Sequence, residues 1–201
     1  MMQSIFMTGL GGQGIITLAN LISGQASGEG LRVTLFNAKG MAQRGGRVTS
    51  EIRLSDDPQA AFGARISAGK ADILIGMEIG ETINSISYLT EGGAVILLDY
   101  ALVPTTMVLN KEPYPTFGQL TELYAQKTDR IFAVAEATHP YNMFLLGVFS
   151  AIAPKIARVL SFFSKESVEQ AITQKLKRGL KENLETFNGG YAHGRSLLQR
   201  V

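Results

Sequence analysis

The sequence predicts an α/β fold: a three-layer α/β/α sandwich around a mostly parallel, mixed sheet of Rossmann-like kind. Three observations predict it. Short apolar runs alternate with stretches of helical periodicity along the chain. Runs such as Ala71–Met77 and Ala94–Leu98 are apolar almost throughout, as in strands covered on both faces. The first run ends in a glycine-rich loop and leads directly into a helical pattern, a strand–loop–helix unit.

The elements follow in order. Ser4–Thr8 reads as a buried strand. Gly14–Ser27 carries Ile15, Leu18, Ala19 and Ile22 at helical spacing, and Gly28 and Gly30 stop that helix. Leu31–Phe36 is the second strand. In Val48–Leu54, Val48, Ile52 and Leu54 alternate with Thr49, Glu51 and Arg53, which predicts a half-exposed strand in an antiparallel or edge position. Ala71–Met77 is a strand and Ile79–Leu89 a helix. Gly92-Gly93 turns the chain into the strand Ala94–Leu98. The stretch around Pro104, Pro113 and Pro115 reads as irregular, Phe117–Gln126 as helix and Ile131–Ala135 as strand. Asn142–Ile152, apolar all round, is a core or an interface helix. A last helix is expected over Ser167–Phe187, with Ser167 and Gln170 as a capping box and Val168, Ile172, Leu176, Leu180 and Leu184 as its stripe. Gly189-Gly190 is expected to end it, leaving 188–201 as a tail of one domain over 1–201.

Composition excludes several classes of function. With no cysteine among 201 residues, the chain offers no disulfide, thiolate zinc site, cysteine nucleophile or cysteine-held iron–sulfur cluster. The two histidines, His139 and His193, are far apart in sequence, so no metal site is expected. A net charge of +2 argues against nucleic-acid binding. The N-terminus lacks the basic region of a signal peptide, and Met143–Ala153 falls short of the roughly 20 residues a membrane span needs. The expectation is a soluble, cytoplasmic protein without a membrane partner. Charged residues make up 18%, against a usual value of about 25%, which predicts apolar surface covered by a partner.

Two loops carry the candidate chemistry. Gly9-Leu10-Gly11-Gly12-Gln13-Gly14 satisfies G-x-G-x-x-G between a strand and a helix, where glycines permit a tight turn and the helix start favours an anion. A dinucleotide fold wants a carboxylate near the end of the second strand; Asn37, Ala38 and Lys39 stand there instead. Lys39 leaves a 2′-phosphate, hence NADP, open. The rival reading is a turn that only packs the helix or admits a partner. In the second loop, Gln43, Arg44, Gly45 and Gly46 combine a guanidinium fork for carboxylate or phosphate with a permissive backbone. Both loops follow strand ends, so they are expected at one edge of the sheet, on adjacent strands. Three residues stand as supports: Glu78 at a strand end, as a partner for Arg44 or a helix-start carboxylate; His139, as a general base or a hydrogen-bonded structural residue; and Asn142, as a helix cap.

Together Gly9-x-Gly-Gly-Gln-Gly-Ile15, Gly40-Met-Ala-Gln-Arg-Gly-Gly46 and Val48-x-Ser-x-Ile-Arg53 resemble the gamma-type subunit of 2-oxoacid:ferredoxin oxidoreductases. The form Met-Ala-Gln-Arg-Gly-Gly looks most like the small subunit of the indolepyruvate enzyme. The resemblance continues through Ala71–Ile75, Glu78, Asn142–Gly147 and the last helix; the Tyr100–Gln126 segment and the C-terminus depart from it. It implies a subunit of a complex that oxidatively decarboxylates a 2-oxoacid to an acyl-CoA. The favoured substrate is indolepyruvate or another arylpyruvate, with pyruvate, 2-oxoglutarate or a branched-chain acid as alternatives. Thiamine diphosphate, magnesium, coenzyme A and iron–sulfur clusters would be held mainly by partner chains, with ferredoxin as acceptor. The chain alone would be inactive. Two other readings stay open: a self-contained NAD(P)-binding domain, and a docking module without a ligand.

Overall fold

The computed structural model describes residues 1–40 and 45–199. Among the described residues, six strands form one mixed sheet: β1 (Met2–Leu10), β2 (Arg32–Lys39), β3 (Arg47–Ser55), β4 (Ala71–Gly76), β5 (Leu89–Leu98) and β6 (Ile131–Val134), in the order β2-β3-β1-β4-β5-β6. The pairs β1–β4, β4–β5 and β5–β6 are parallel; β1–β3 and β2–β3 are antiparallel. Seven helices of the described residues cover it: α1 (Ile15–Gly28), α2 (Ile79–Ile83), α3 (Thr105–Asn110), α4 (Phe117–Ala125), α5 (Tyr141–Ile156), α6 (Lys165–Lys175) and α7 (Leu180–Leu197).

Strand alternation builds two cores from one sheet. Ile5, Met7, Ile52, Leu54, Ile73, Ile75, Ile96 and Leu98 face α1, α5, α6 and α7. Phe6, Leu74, Val95 and Leu97 face the other way, against Ile79 of α2, Leu120 and Tyr124 of α4, and Ile66. This is the expected α/β/α layering, with one thick helical layer and one thin one.

β3 departs from expectation in burial. It is antiparallel, as the alternation predicts, but it lies inside the sheet rather than at an edge. Its polar face is also covered: Thr49 and Glu51 are buried. The segment 56–70 folds over that face. Arg65 donates Nε to Glu51 at 2.9 Å, and the Ile66 amide donates to the other carboxylate oxygen. A buried carboxylate tolerates this place because a cation and an amide satisfy it.

The expected helix over Ile79–Leu89 is instead α2 followed by a single 3-10 turn at Ile86–Tyr88, and β5 begins at Leu89. Gly92, at φ 68°, lies in a register shift inside that strand rather than before it. In the segment expected to be irregular, Thr105–Asn110 forms the short helix α3.

The C-terminal region also differs. The predicted last helix is two helices. Ser164, one turn before the expected cap, makes the capping box of α6 with Ser167. The chain breaks after Lys175, and Gly179, left-handed at φ 62°, starts α7. Gly189-Gly190 does not end α7, and the proposed tail is helical as far as Leu197. A Cβ on Gly190 would run into the Phe144 carbonyl, and one on Gly147 of α5 into the Phe187 carbonyl. These glycines therefore let the α5 and α7 backbones touch. Close packing offsets the roughly 1 kcal/mol that glycine costs inside a helix. α5 is the core helix of the two alternatives: every residue from Met143 to Ala153 is buried.

Candidate functional site

The parallel strands and β2 all end at one edge of the sheet, and β3 starts there. Both candidate loops converge on this edge, since the Gly11 amide donates to the Gly46 carbonyl at 2.9 Å. The strands they follow, β1 and β2, are not adjacent, however. β3 lies between β1 and β2, pairing Leu10 with Arg47 on one side and Lys39 with Val48 on the other.

The first loop is locked from beneath. Gln13 accepts from the Leu10 amide through Oε1 at 2.7 Å and donates Nε2 to the Met77 carbonyl at 2.7 Å. One side chain thus ties the turn to the end of β4. Gly9 leaves the space this needs, because a Cβ there would lie 2.6 Å from Gln13 Oε1. Gly14, left-handed at φ 79°, caps α1, and Asn142 donates Nδ2 to its carbonyl at 3.4 Å. Asn142 therefore braces the loop from α5; it lies inside that helix, whose cap is Pro140, and does not cap it as expected. Gly12, at φ 100°, has open space where a side chain would be. Leu10, Gly11, Gly12, the first turn of α1, Lys39, Gly40 and Gly46 line a cleft of about 520 Å³. The first-turn amides of a helix have no intrahelical partner, so the cleft suits an anion.

Gln43 and Arg44 lie outside the described residues. Gly46 lines this cleft, and Gly45, at φ 72°, lines a second one beside it.

Glu78 is the best-satisfied carboxylate at this edge and is 1% exposed. It caps α2 by accepting from the Glu81 amide at 2.9 Å. Its Oε1 also accepts from the Tyr114 hydroxyl at 2.7 Å and the Leu102 amide at 3.2 Å. The helix-start reading was right but incomplete. Burial, then the bond to Glu78, raise the Tyr114 hydroxyl above its ordinary range. Glu81 stands beside it. Burial is the main cause that raises its carboxyl, opposed by Arg47 and reinforced by Glu78. Arg47 Nε lies 3.2 Å from Glu81 Oε2, but neither atom makes a hydrogen bond, so the contact is one of charge without alignment. Leu10, Gly45, Glu78, Glu81, Leu102–Thr105 and Tyr114 line a second cleft of about 380 Å³.

His139 follows β6 at the same edge and is exposed. Its ring stacks edge-on with Tyr141 at 5.6 Å, and its carbonyl accepts from Thr186. These contacts engage the ring edge and the backbone carbonyl, not an imidazole nitrogen. Asn37 accepts from the Ser50 hydroxyl at 2.6 Å and is engaged across the β2–β3 hairpin. Sequence reasoning missed Arg47, Glu81, Leu102 and Tyr114. Only the Pro113-Tyr114-Pro115 pattern, an aromatic fixed between prolines, could have flagged the last. Among the described residues, no group of three or more His, Cys, Asp or Glu could hold a metal ion, and no helix is long and apolar enough to cross a membrane.

Residues 4–193 match the model of the family described as pyruvate ferredoxin/flavodoxin oxidoreductase. The chain is 32% identical over 134 residues to an indolepyruvate oxidoreductase subunit IorB of Pyrococcus horikoshii, covering 67% of this chain and 65% of that one. The match to the Thermococcus kodakarensis IorB subunit spans 58% of the relative's length. A third IorB subunit, from Archaeoglobus fulgidus, is 27% identical over 94% of this chain and 93% of its own. Two solved structures share the fold at 17% identity. One is the gamma subunit of a keto/oxoacid ferredoxin oxidoreductase from Geobacter sulfurreducens (TM-score 0.61, 98% of each chain). The other is a 2-oxoglutarate:ferredoxin oxidoreductase from Magnetococcus marinus (TM-score 0.65), where this whole chain corresponds to 31% of the longer one. The chain belongs to the pyruvate ferredoxin/flavodoxin oxidoreductase family.

Proposed function

We propose that the chain is the gamma-type subunit of a 2-oxoacid:ferredoxin oxidoreductase, acting on indolepyruvate or a related arylpyruvate. The IorB names of three relatives favour that substrate. A 2-oxoglutarate synthase subunit of Methanocaldococcus jannaschii, 31% identical over 98% of this chain, keeps other 2-oxoacids as the rival choice. Thiamine diphosphate, magnesium and the clusters do not fit this chain's own donors: it has no cysteine, and its described carboxylates do not gather into a metal site. They belong to partner chains, and ferredoxin is met through the assembled, cytoplasmic complex.

The observation that carries the reading is the joining of the two glycine loops by Gly11 and Gly46 over one cleft. This edge would close the reaction chamber from outside. The cleft's amides and Arg44 would hold an anionic group of the 2-oxoacid or of coenzyme A, and water would be kept from the reacting centre. Gln13, Asn142 and Glu78 hold the loops and do not touch substrate; His139 sits at the rim.

Two features support this over a self-contained dinucleotide domain. Asn37 is engaged by Ser50. And β3 is interposed between β1 and β2, the strands whose adjacency brings the ribose carboxylate to the glycine turn in a dinucleotide fold.

The test is co-expression with the thiamine-binding chain, followed by assay of the purified complex with a panel of 2-oxoacids and coenzyme A. Arg44→Ala should raise a Michaelis constant about tenfold or more, as expected for a lost charged hydrogen bond. Unchanged constants and turnover would remove Arg44 from the site. Tight binding of NADPH or NADH by the isolated chain would favour the dinucleotide reading.

A further inference from the structure

One segment of this edge has no core to hold it. From Ala101 to Pro113 every residue but Met107 is exposed, and α3 buries no side chain. Val108 is 60% and Leu109 76% exposed. Such a segment cannot be placed by apolar burial, the usual source of a loop's position. Yet its root, Leu102–Thr105, forms one wall of the 380 Å³ cleft, opposite Leu10 and Gly45 of the glycine loops.

Its two ends meet on one atom. Glu78 Oε1 accepts from the Leu102 amide at one end and from the Tyr114 hydroxyl at the other. The other oxygen of that carboxylate is engaged by the Glu81 amide, which anchors it to α2. Gly80 leaves room for the hydroxyl: a Cβ there would strike Tyr114 Oη. The Ile79 amide adds a backbone tie to the Tyr100 carbonyl at 2.9 Å, just before the segment begins. Buried, charged and shared by three donors, the carboxylate makes bonds of the strong, charge-assisted class.

We infer that Glu78 is a positioning residue, a clasp that closes the 102–114 strap into a loop and fixes its root as a wall of the cleft beside the glycine turn. This rests on the reading of that edge as the face turned to the reaction. Glu78 acts through the strap and touches no reactant. Its substitution therefore alters how substrate is received more than how fast bound substrate turns over.

The experiment uses the complex co-purified with the thiamine-binding chain and three variants: Glu78→Ala, Glu78→Gln and Tyr114→Phe. Glutamine keeps an oxygen at Oε1; phenylalanine removes one tie and leaves the carboxylate in place, so it remains informative if the alanine variant does not fold. Hydrogen exchange of peptides covering 101–116 reports the strap. We expect exchange to quicken about tenfold or more in Glu78→Ala, less in Tyr114→Phe, and to return toward the native rate in Glu78→Gln. KM for the 2-oxoacid or coenzyme A should rise in the same order, with kcat within about twofold. Native exchange in both Glu78→Ala and Tyr114→Phe overturns the clasp. Faster exchange with unchanged KM overturns its part in positioning. If the unmutated complex oxidises no 2-oxoacid, the functional reading fails instead, along with the positioning role, while the exchange data still decide the clasp.

Discussion

Gly189 and Gly190 are neighbours in α7, yet alanine at each should shift stability in opposite directions. At Gly189 a Cβ would meet only Phe144 Cε2, at 3.9 Å, an ordinary contact. The position is exposed and helical, so Gly189→Ala should gain about 0.5–1 kcal/mol from the smaller entropy lost on folding. At Gly190 the Cβ would meet the carbonyl, carbon and Cα of Phe144, all backbone atoms of the buried helix α5. No rotamer can relieve that, so the two helices must move apart along a seam that also includes Gly147 and Gly194. Overpacking costs about 1–3 kcal/mol where side chains can adjust; here about 3 kcal/mol or more is expected. For 201 residues, an unfolding entropy near 2.1 cal/mol/K per residue turns each kcal/mol into roughly 2–3 °C. Differential scanning calorimetry should therefore show Gly189→Ala about 1–2 °C above the native protein and Gly190→Ala about 7 °C or more below it. Gly190→Ala at the native midpoint, or Gly189→Ala falling as far as Gly190→Ala, would refute direct backbone contact between α5 and α7.

Three further outcomes follow from the site. Gln13→Ala leaves the Leu10 amide and the Met77 carbonyl without their side-chain partner and should cost about 1–3 kcal/mol in urea unfolding, whereas loss of under about 0.5 kcal/mol would mean that water replaces the latch. Because burial raises the Glu81 carboxyl, the folded state holds that proton more tightly than the unfolded chain. Ionising Glu81 therefore draws stability away as pH rises through and just above 4.5. Glu81→Gln should gain on the native protein across that window in paired pH-dependent melts, and a difference that stays flat with pH would exclude the effect. Glu51→Ala removes the acceptor of Arg65 and the Ile66 amide, so limited proteolysis within 56–70 should quicken, while an unchanged cleavage pattern would show that the segment is held by other contacts.

What the sequence revealed divides by the range of the forces involved. β1, the glycine turn and α1 were legible because a short apolar run, φ-positive glycines and helical spacing are local signals. The convergence of the two loops was legible too, since each follows a strand end. Its route through β3 was not, because strand order depends on which edges find each other across 40 or more residues, as Met7 finds Ser50. The polar face of β3 looked solvated since alternation cannot reveal that Arg65 will fold back onto Glu51. At the C-terminus, the stripe from Val168 to Leu184 read as one helix because apolar spacing carries across the break that Gly179 makes. Gly189-Gly190 carries the ordinary signature of a stop; only the backbone of α5 opposite makes it a contact. Glu78 was visible as a strand-end carboxylate, but its hold on Leu102 and Tyr114 lies in a segment without periodicity.

The interposed strand β3 has a consequence for how such an edge can change over generations. In an all-parallel sheet, the loop after β2 would feed a crossover helix, and altering its length would displace a packed layer. Here the chain instead returns directly as β3, and the Gly40 amide donates to the Arg47 carbonyl at 2.7 Å to close the β2–β3 stem. A bend above a closed stem can gain or lose residues without disturbing the register of the four strands beyond it. The connection between β2 and β3 can therefore vary at little cost to the packed layers.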